Sequence, residues 1–468
     1  MRPWKGLCEA APPAVTVRHL PRREEESRLD SRSYRWWRRG WGVAAALALA
    51  AAAGGVRAEL DATEHAIVAF VDAERAALEA DLERHVNVNS GTMNPDGVRA
   101  VGALLERELE ALGFATEWID LAHVNRGGHL FARREGDRGK RVLLIGHLDT
   151  VFERDDAFQT FVRDGAWARG PGVADMKSGN LVIVYALKAL AAAGALDGAQ
   201  IVVAYTGEEE NPGEPLAESR AHLVEAGRFA DVALEFEAGT RDASGELIVT
   251  GRRSSSEWRL EVAGRQAHSS RIFSAEVGAG AIFEAARILA AFYEELAEEP
   301  YLAFNAGTIL GGTDVEYDAA ETRGRAFGKT NVVPRRAVVH GGIRTISSEQ
   351  LERVRERMRA IVARSLPHTE ASIAFADAYP PMAPTEGNRA LLEMLSAINE
   401  ELGGGALRAV DPALRGASDI SFVAPYTDGL AGLGPYGEGG HTPDERVDLE
   451  SIPRAVQRAA ILIYRLTR

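Results

Sequence analysis

Three uninterrupted apolar runs constrain this chain most: "RVLLIG" (141–146), "AQIVVAYT" (199–206) and "DVALEFE" (231–237). A strand with no polar alternation is buried on both faces, as in sheets covered by helices on each side. The stretches between the runs supply those helices. "GNLVIVYALKALAAAGAL" (179–196) and "LAESRAHLVEAG" (216–227) have helical spacing, and "GVRAVGALLERELEALG" (97–113) is an amphipathic helix ending at Gly113. A further helical pattern occupies 64–87. Alternation of buried strands with helices gives an α/β fold with a mostly parallel sheet, whose ligands gather beyond the strand C-termini.

After residue 250 the pattern changes. "SEWRLEVAGRQAH" (256–268) alternates polar and apolar, as an antiparallel strand with one wet face does. A helix (276–297), strands "YLAFNAGTIL" and "RAVVHGGIRTI", a helix (348–364) and a strand "ASIAFA" follow. This βαββαβ order predicts a ferredoxin-like unit inserted in the α/β domain. The expected organisation is 59–249 and 377–468 for the two parts of the first domain, and 250–376 for the insertion. "YPPMAPTEGN" is the return linker and "SIPRAVQRAAILIYRLTR" a closing helix.

The first 58 residues have another composition. They hold 11 of the 54 Lys/Arg and only 5 of the 68 Asp/Glu, so the formal charge of −14 becomes −20 without them. "RWWRRGWGVAAALALAAAAGGVRA" reads as a basic segment, a short apolar segment and a small-residue cleavage site after Ala58. Its apolar stretch is shorter than the roughly 20 residues of a spanning helix, so export without stable membrane insertion is expected. The acidic balance argues against nucleic acid as a partner. Cys8, the only cysteine, falls inside this segment. The mature chain therefore has neither disulfides nor thiolate sites, and any metal must be held by His, Asp and Glu.

Chemistry-bearing residues follow the buried strands. His147 and Asp149 in "GHLDTV" are two apart on extended chain and point the same way. A metal-bound imidazole commonly gives its second N–H to a carboxylate, which this pair could satisfy; a plain hydrogen-bonded loop pair is the alternative. Asp175 lies in the glycine-rich "RGPGVADMKSGN" before a helix, where a carboxylate also suits the helix dipole. "TGEEEN" places Glu208, Glu209 and Glu210 after the second strand, and Glu237 ends the third, with Glu235 competing for its role. A solvated charge run is the ordinary reading of three adjacent glutamates. Late in the chain, "GEGGHTPDERV" presents His441 from a flexible loop.

The joint order of these motifs resembles the di-zinc metallopeptidases that include glutamate carboxypeptidase, aminoacylase, acetylornithine deacetylase and succinyl-diaminopimelate desuccinylase. The resemblance runs from about residue 60 to 468. It is nearest to the glutamate carboxypeptidase branch, through "GHLDTV", "GPGVADMK" and "YTGEE". It implies a zinc-exopeptidase-like catalytic domain with an inserted ferredoxin-like lid and dimerisation domain.

By the same resemblance, His147, Asp175 and Glu237 hold one zinc, with Asp149 orienting His147 and Asp175 bridging the two ions. Glu209 and His441 complete the second site, Glu208 is the general base, and Glu210 faces solvent. Two Zn²⁺ against three carboxylates and a hydroxide give a neutral inner shell; Co or Mn could replace zinc. The peptide bond after Asp175 is expected to be cis. His268 in "GRQAHSS" is expected to stabilise the oxyanion, often across a homodimer, and Asn331 and Arg344 to bind the substrate carboxylate. Ser269 and Ser270 depart from the commoner continuation of the lid motif, and "NPGEP" lengthens the segment after Glu210. The implied activity is hydrolysis of the amide bond to a C-terminal amino acid of Glu-like or apolar type, in a peptide or N-acyl amino acid. An N-acyl-amino-acid deacylase and a catalytically silent peptide-binding relative are the alternatives.

Overall fold

The computed structural model describes residues 59–318 and 322–468. The expectations for the segment before Glu59, Cys8 included, lie outside the described residues. A six-stranded mixed sheet forms the centre. Its strands are β1 (Ala115–Ile119), β2 (His129–Arg134), β3 (Arg138–His147), β4 (Ala199–Thr206), β5 (Val232–Glu235) and, much later, β10 (Asp428–Leu430). They lie in the order β1-β2-β4-β3-β5-β10. From β4 to β10 the neighbours are parallel, while β1 and β2 pair antiparallel at one edge.

Burial on both faces is what the apolar runs required. Val142 and Leu144 of β3, with Ile201, Val203 and Tyr205 of β4, enter one core, packed on α4 (Ser178–Ala192) and the closing helix α8 (Ser451–Thr467). Leu143, Ile145, Val202 and Ala204 enter another on the opposite face, with Leu223 and Ala226 of α5 (Ala221–Phe229). The early helical pattern is two helices, α1 (Ala62–Ala73) and α2 (Arg75–Val86), and the expected amphipathic helix is α3 (Pro95–Ala111), capped by the Asn94 side chain. The stretch expected as one helix over 216–227 breaks at Arg220, between Leu216–Ser219 and α5.

A third core takes its buried residues from 258–362, with Ala371, Ile373 and Phe375 packed against them. Here β6 (Ser256–Gly264), β7 (Ala303–Gly312), β8 (Arg336–Arg344) and β9 (Thr369–Asp377) form an antiparallel sheet ordered β7-β8-β6-β9. Helices α6 (Ala281–Leu296) and α7 (Ser348–Val362) bury Ile288, Phe292, Val354 and Met358 against it. With its two helices crossing between strands, this is the ferredoxin-like arrangement. A hairpin, Asp314–Asp318 with Arg323–Phe327, was not foreseen. The segments joining this sheet to the rest are bonded to each other through Arg252 and Met382, which exchange both backbone hydrogen bonds.

Candidate metal centre

The C-terminal ends of β3, β4 and β5 converge. β3 ends at His147, and the Leu148 N–H donates to the Thr206 carbonyl at 2.6 Å, tying the end of β3 to that of β4. The buried His147 ring places Nδ1 3.1 Å from the Asp149 carbonyl oxygen and 3.4 Å from its carboxylate. Both are acceptors, so Nδ1 carries a proton, and Nε2 is the nitrogen turned to the cluster. Nε2 in turn lies 3.1 Å from Asp175 and 3.6 Å from Glu237. The Asp149 carboxylate also accepts from Thr92 Oγ1 (2.6 Å) and from the Glu209 and Glu210 N–H groups (3.0 and 3.1 Å). It thus joins the histidine strand to the glutamate turn.

Asp175 stands at the centre. One carboxylate oxygen is 3.1 Å from His147 Nε2 and the other 3.1 Å from His441 Nε2. Its peptide bond to Met176 is cis. The loop before it is held from behind by Glu445, which accepts N–H groups of Gly172 (3.3 Å), Ala174 (2.8 Å) and Asp175 (2.9 Å). His441 has φ +63°, the left-handed region that few non-glycine residues adopt. That backbone turns its ring onto both Asp175 and Glu210, the latter 3.2 Å away.

The three glutamates divide differently from the sequence expectation. Glu208 is fully buried and faces away from the cluster. Its carboxylate takes hydrogen bonds from Ser219 Oγ, from Arg220 and, at 2.7 Å, from the Gly213 N–H. That side chain is not available to a substrate, which corrects its expected place as the base. Glu210, expected in solvent, instead meets His441, with its side chain 6 % exposed. Donor atoms of Glu210, His147 and Asp175 cluster within 4.8 Å, as do those of Glu209, His147 and Glu237. The pair that faces the site is therefore Glu209 and Glu210, one residue later than read. Glu235 does not compete with Glu237, because its buried carboxylate binds Arg252, Ser418 and the Ile420 N–H.

"NPGEP" gains a role from the same geometry. Arg126 pins it through the Asn211 carbonyl (2.6 Å) and side chain (3.0 Å). A Cβ on Gly213 would lie 3.0 Å from Glu208 Oε2 and 2.8 Å from Val124. Only glycine lets the backbone come close enough to cap Glu208.

The electrostatics call for a cation. Burial pushes the Glu209 carboxyl well above its usual range, and burial with the Asp175 charge beside it pushes Glu237 up to about 8. Burial also opposes a charged His147, yet the Asp149 and Asp175 carboxylates outweigh it and hold the imidazole well above its usual value. Hydrogen bonds to Asp175 and Glu210 raise His441 to about 11. Glu210 Oε1 is buried with no hydrogen-bond partner. Converging carboxylates, histidine nitrogens aimed among them and an orphaned oxygen form a donor set of O and N type that suits divalent zinc-class ions.

A family model described as peptidase family M20/M25/M40 matches residues 143–465. The chain belongs to this family. It is accordingly a hydrolase of the M20 type. It is 28% identical to carboxypeptidase G2 of Pseudomonas sp. (strain RS-16), over 91% of this chain and 97% of that protein. Succinyl-diaminopimelate desuccinylase of Cupriavidus necator is also 28% identical, over 80% of this chain and 94% of the relative. Among solved structures, aminopeptidase PepT of Bacillus cereus superposes with a TM-score of 0.65 at 18% identity, covering 84% of this chain and 99% of that one. The M20 dinuclear metal-binding peptidase YXEP of Bacillus subtilis does so with 0.58 at 16%, over 85% and 99%.

The remaining residues expected in this M20 site lie on the third core. His268 is exposed, its Nδ1 2.8 Å from Ser270 Oγ, and it sits beside Asn331, whose carbonyl accepts the Ser269 N–H at 2.9 Å. The two are thus neighbours, and among the described residues no hydrogen bond or ion pair links either to the carboxylate cluster. Arg344 is exposed at the end of β8 and reaches Gly416, where a Cβ would lie 3.8 Å from its Nη1. Arg415, next in the chain to Gly416, was not foreseen. It is half-buried; burial and the Arg252 charge lower its pKa, while Glu237, Glu235 and Asp175 act in the opposite direction. Glu445, Arg220 and Tyr379 were likewise missed; the "DERV" just after His441 was the available signal for Glu445.

Proposed function

We propose that the protein is an exported, zinc-dependent metallocarboxypeptidase that hydrolyses the amide bond to a C-terminal amino acid in a peptide or N-acyl amino acid. The observation that carries this reading is Asp175, with one oxygen toward each histidine and Glu237 and Glu210 flanking them. His147, Asp175 and Glu237 would hold one ion and Asp175, Glu210 and His441 the other. When bound, such ions supply Lewis acidity and a water of lowered pKa.

The chain's own residues do the rest. Asp149 fixes the tautomer of His147 by accepting its Nδ1 proton. Glu209, a buried carboxyl with a raised pKa, takes the attacking water's proton and returns it to the leaving nitrogen, work usually worth about 10²–10⁴-fold. Arg344 and Arg415 flank Gly416, and their guanidinium groups suit a bidentate grip on the substrate carboxylate. His268 and Asn331 would serve the site of a partner subunit. Self-association through a lid at 250–376 is supported by Phe273, Ile282, Phe283, Tyr293, Ile309 and Phe327, which are exposed apolar side chains there. Export is supported by the basic and apolar segments before Ala58. No helix among the described residues is long and apolar enough to cross a membrane.

The experiment is turnover by zinc-loaded protein, scored by release of the C-terminal amino acid. A panel of dipeptides, longer peptides and N-acetyl amino acids separates peptidase from deacylase. Binding without cleavage across the whole panel would refute the enzymatic reading in favour of a silent peptide-binding relative.

A further inference from the structure

We propose that Tyr379 is a positioning residue, tying the hinge between the cores to the peptide unit that carries Glu209 and Glu210. It rests on the reading of Glu209 as the base. Tyr379 lies just after β9, in the returning hinge segment, and its carbonyl accepts the Ser255 N–H of the outgoing segment at 2.8 Å. From there its hydroxyl reaches the Glu209 carbonyl at 2.9 Å, and Arg220 Nη2 lies 2.9 Å from the same hydroxyl. Arginine can only donate. The proton directions are therefore fixed: Arg220 donates to the phenol oxygen, and the phenol donates to Glu209. Burial raises the phenol's pKa and keeps it a donor.

The carbonyl it holds belongs to the peptide joining the base to a metal ligand. In a planar trans peptide, C=O and N–H point in opposite directions. The N–H of this one, on Glu210, goes to Asp149 Oδ2 at 3.1 Å. The plane is thus suspended between Asp149, behind His147, and Tyr379, on the hinge. Rotation of this peptide would turn Glu209 and Glu210 together. Packing alone does not hold the ring: beside Pro380, Pro381, Leu351 and Phe422 it lines a cavity of about 600 Å³. Its edge contact with Phe422 (4.9 Å between centroids) survives without the hydroxyl.

Tyr379→Phe therefore isolates the hydroxyl, and two measurements test it. In metal-free protein, hydrogen exchange of the segment 207–213 should accelerate about 3–10-fold, as expected for loss of one net hydrogen bond, with the central sheet unchanged. In metal-loaded enzyme, kcat should fall about 5–10-fold with KM within about twofold, since the base is misplaced and substrate binding is not. Wild-type exchange in 207–213, or acceleration throughout the molecule, overturns the proposal whether or not any substrate is turned over. Faster local exchange with unaltered kcat overturns the link to the base. An enzyme that cleaves nothing in either form refutes the proposed function but leaves the exchange result to decide the tether.

Discussion

Glu208 and Arg220 form an ion pair in which neither side chain reaches solvent, 0 % and 1 % exposed. Arg220 also binds Asp419 at 2.8 Å, and Asp419 accepts from Thr206 Oγ1 at the end of β4. One guanidinium thus compensates two buried carboxylates and fixes the start of the turn whose next two residues face the metal cluster. Desolvated charges of this kind persist only when paired and hydrogen-bonded, and Ser219, Gly213 and Tyr379 complete the set.

Glu208 and Glu209, adjacent in sequence, should therefore fail in opposite ways. Glu208→Ala leaves Arg220 paired with Asp419 but strips the Arg220 Nη1, Ser219 Oγ and Gly213 N–H donors of their buried acceptor, and should cost about 3–5 kcal/mol in urea unfolding. Its remaining folded fraction should retain turnover within about tenfold, because the charge removed is not at the reacting bond. Glu209→Gln should unfold like the parent, since it removes a carboxyl whose ionisation burial already opposes. Its kcat should drop by about 10²–10⁴-fold. The reverse pattern would restore the base to Glu208.

Metal content distinguishes Glu210 from a solvated charge. After dialysis against trace zinc, elemental analysis should find two ions per parent chain and close to one in His441→Ala or Glu210→Gln. Glu208→Gln should keep both. Full occupancy in Glu210→Gln would remove it from the ligand set and leave its buried, unpaired Oε1 unexplained.

How far this was legible in the sequence follows from the range of the forces involved. His147, Asp175, Glu237 and His441 could be placed because each is fixed by something local: a strand end, the two residues beyond one (β5 stops at Glu235, short of the expected Glu237), a glycine loop or a turn. The buried strands declared themselves by composition, and β4 spans the residues expected. Three consecutive glutamates carry no such local mark. Which of them meets Arg220 and which meets His441 depends on residues 12 to more than 200 positions away, brought together only by the fold. The short strands β1 and β2 were missed because their apolar pattern is brief. Arg415 was missed because a single arginine in a loop has no signature until Gly416 and Arg344 are found beside it.

Arg415 offers the next test. Charge-assisted hydrogen bonds contribute about 1.5–3 kcal/mol, so Arg415→Ala should raise KM for a substrate with a free C-terminal carboxylate by about 10–150-fold. The same substrate as its C-terminal amide should be a poor substrate of the parent and should lose little more in the variant. Equal losses on both would assign Arg415 to the loop's structure rather than to the substrate.

A buried histidine outside the metal cluster makes the stability of the fold depend on pH. His85 in α2 is buried, its Nδ1 has no hydrogen-bond partner, and burial aided by the nearby Lys177 charge lowers its pKa to about 3. The unfolded chain should protonate the same imidazole near 6.5. Above pH 6.5 both states are neutral there and His85 contributes no pH dependence. Between 6.5 and about 3 the unfolded state binds one more proton, so stability falls as the pH drops, by up to about 1.4 kcal/mol per unit. His85→Leu removes that proton site at similar size. Urea unfolding at pH 7, 6, 5 and 4 should therefore show the variant gaining on the parent by this increment as the pH drops, most steeply below pH 6. Parallel stability curves for the two proteins would mean that His85 takes up its proton in the folded state, through an opening of α2 that the buried ring does not suggest.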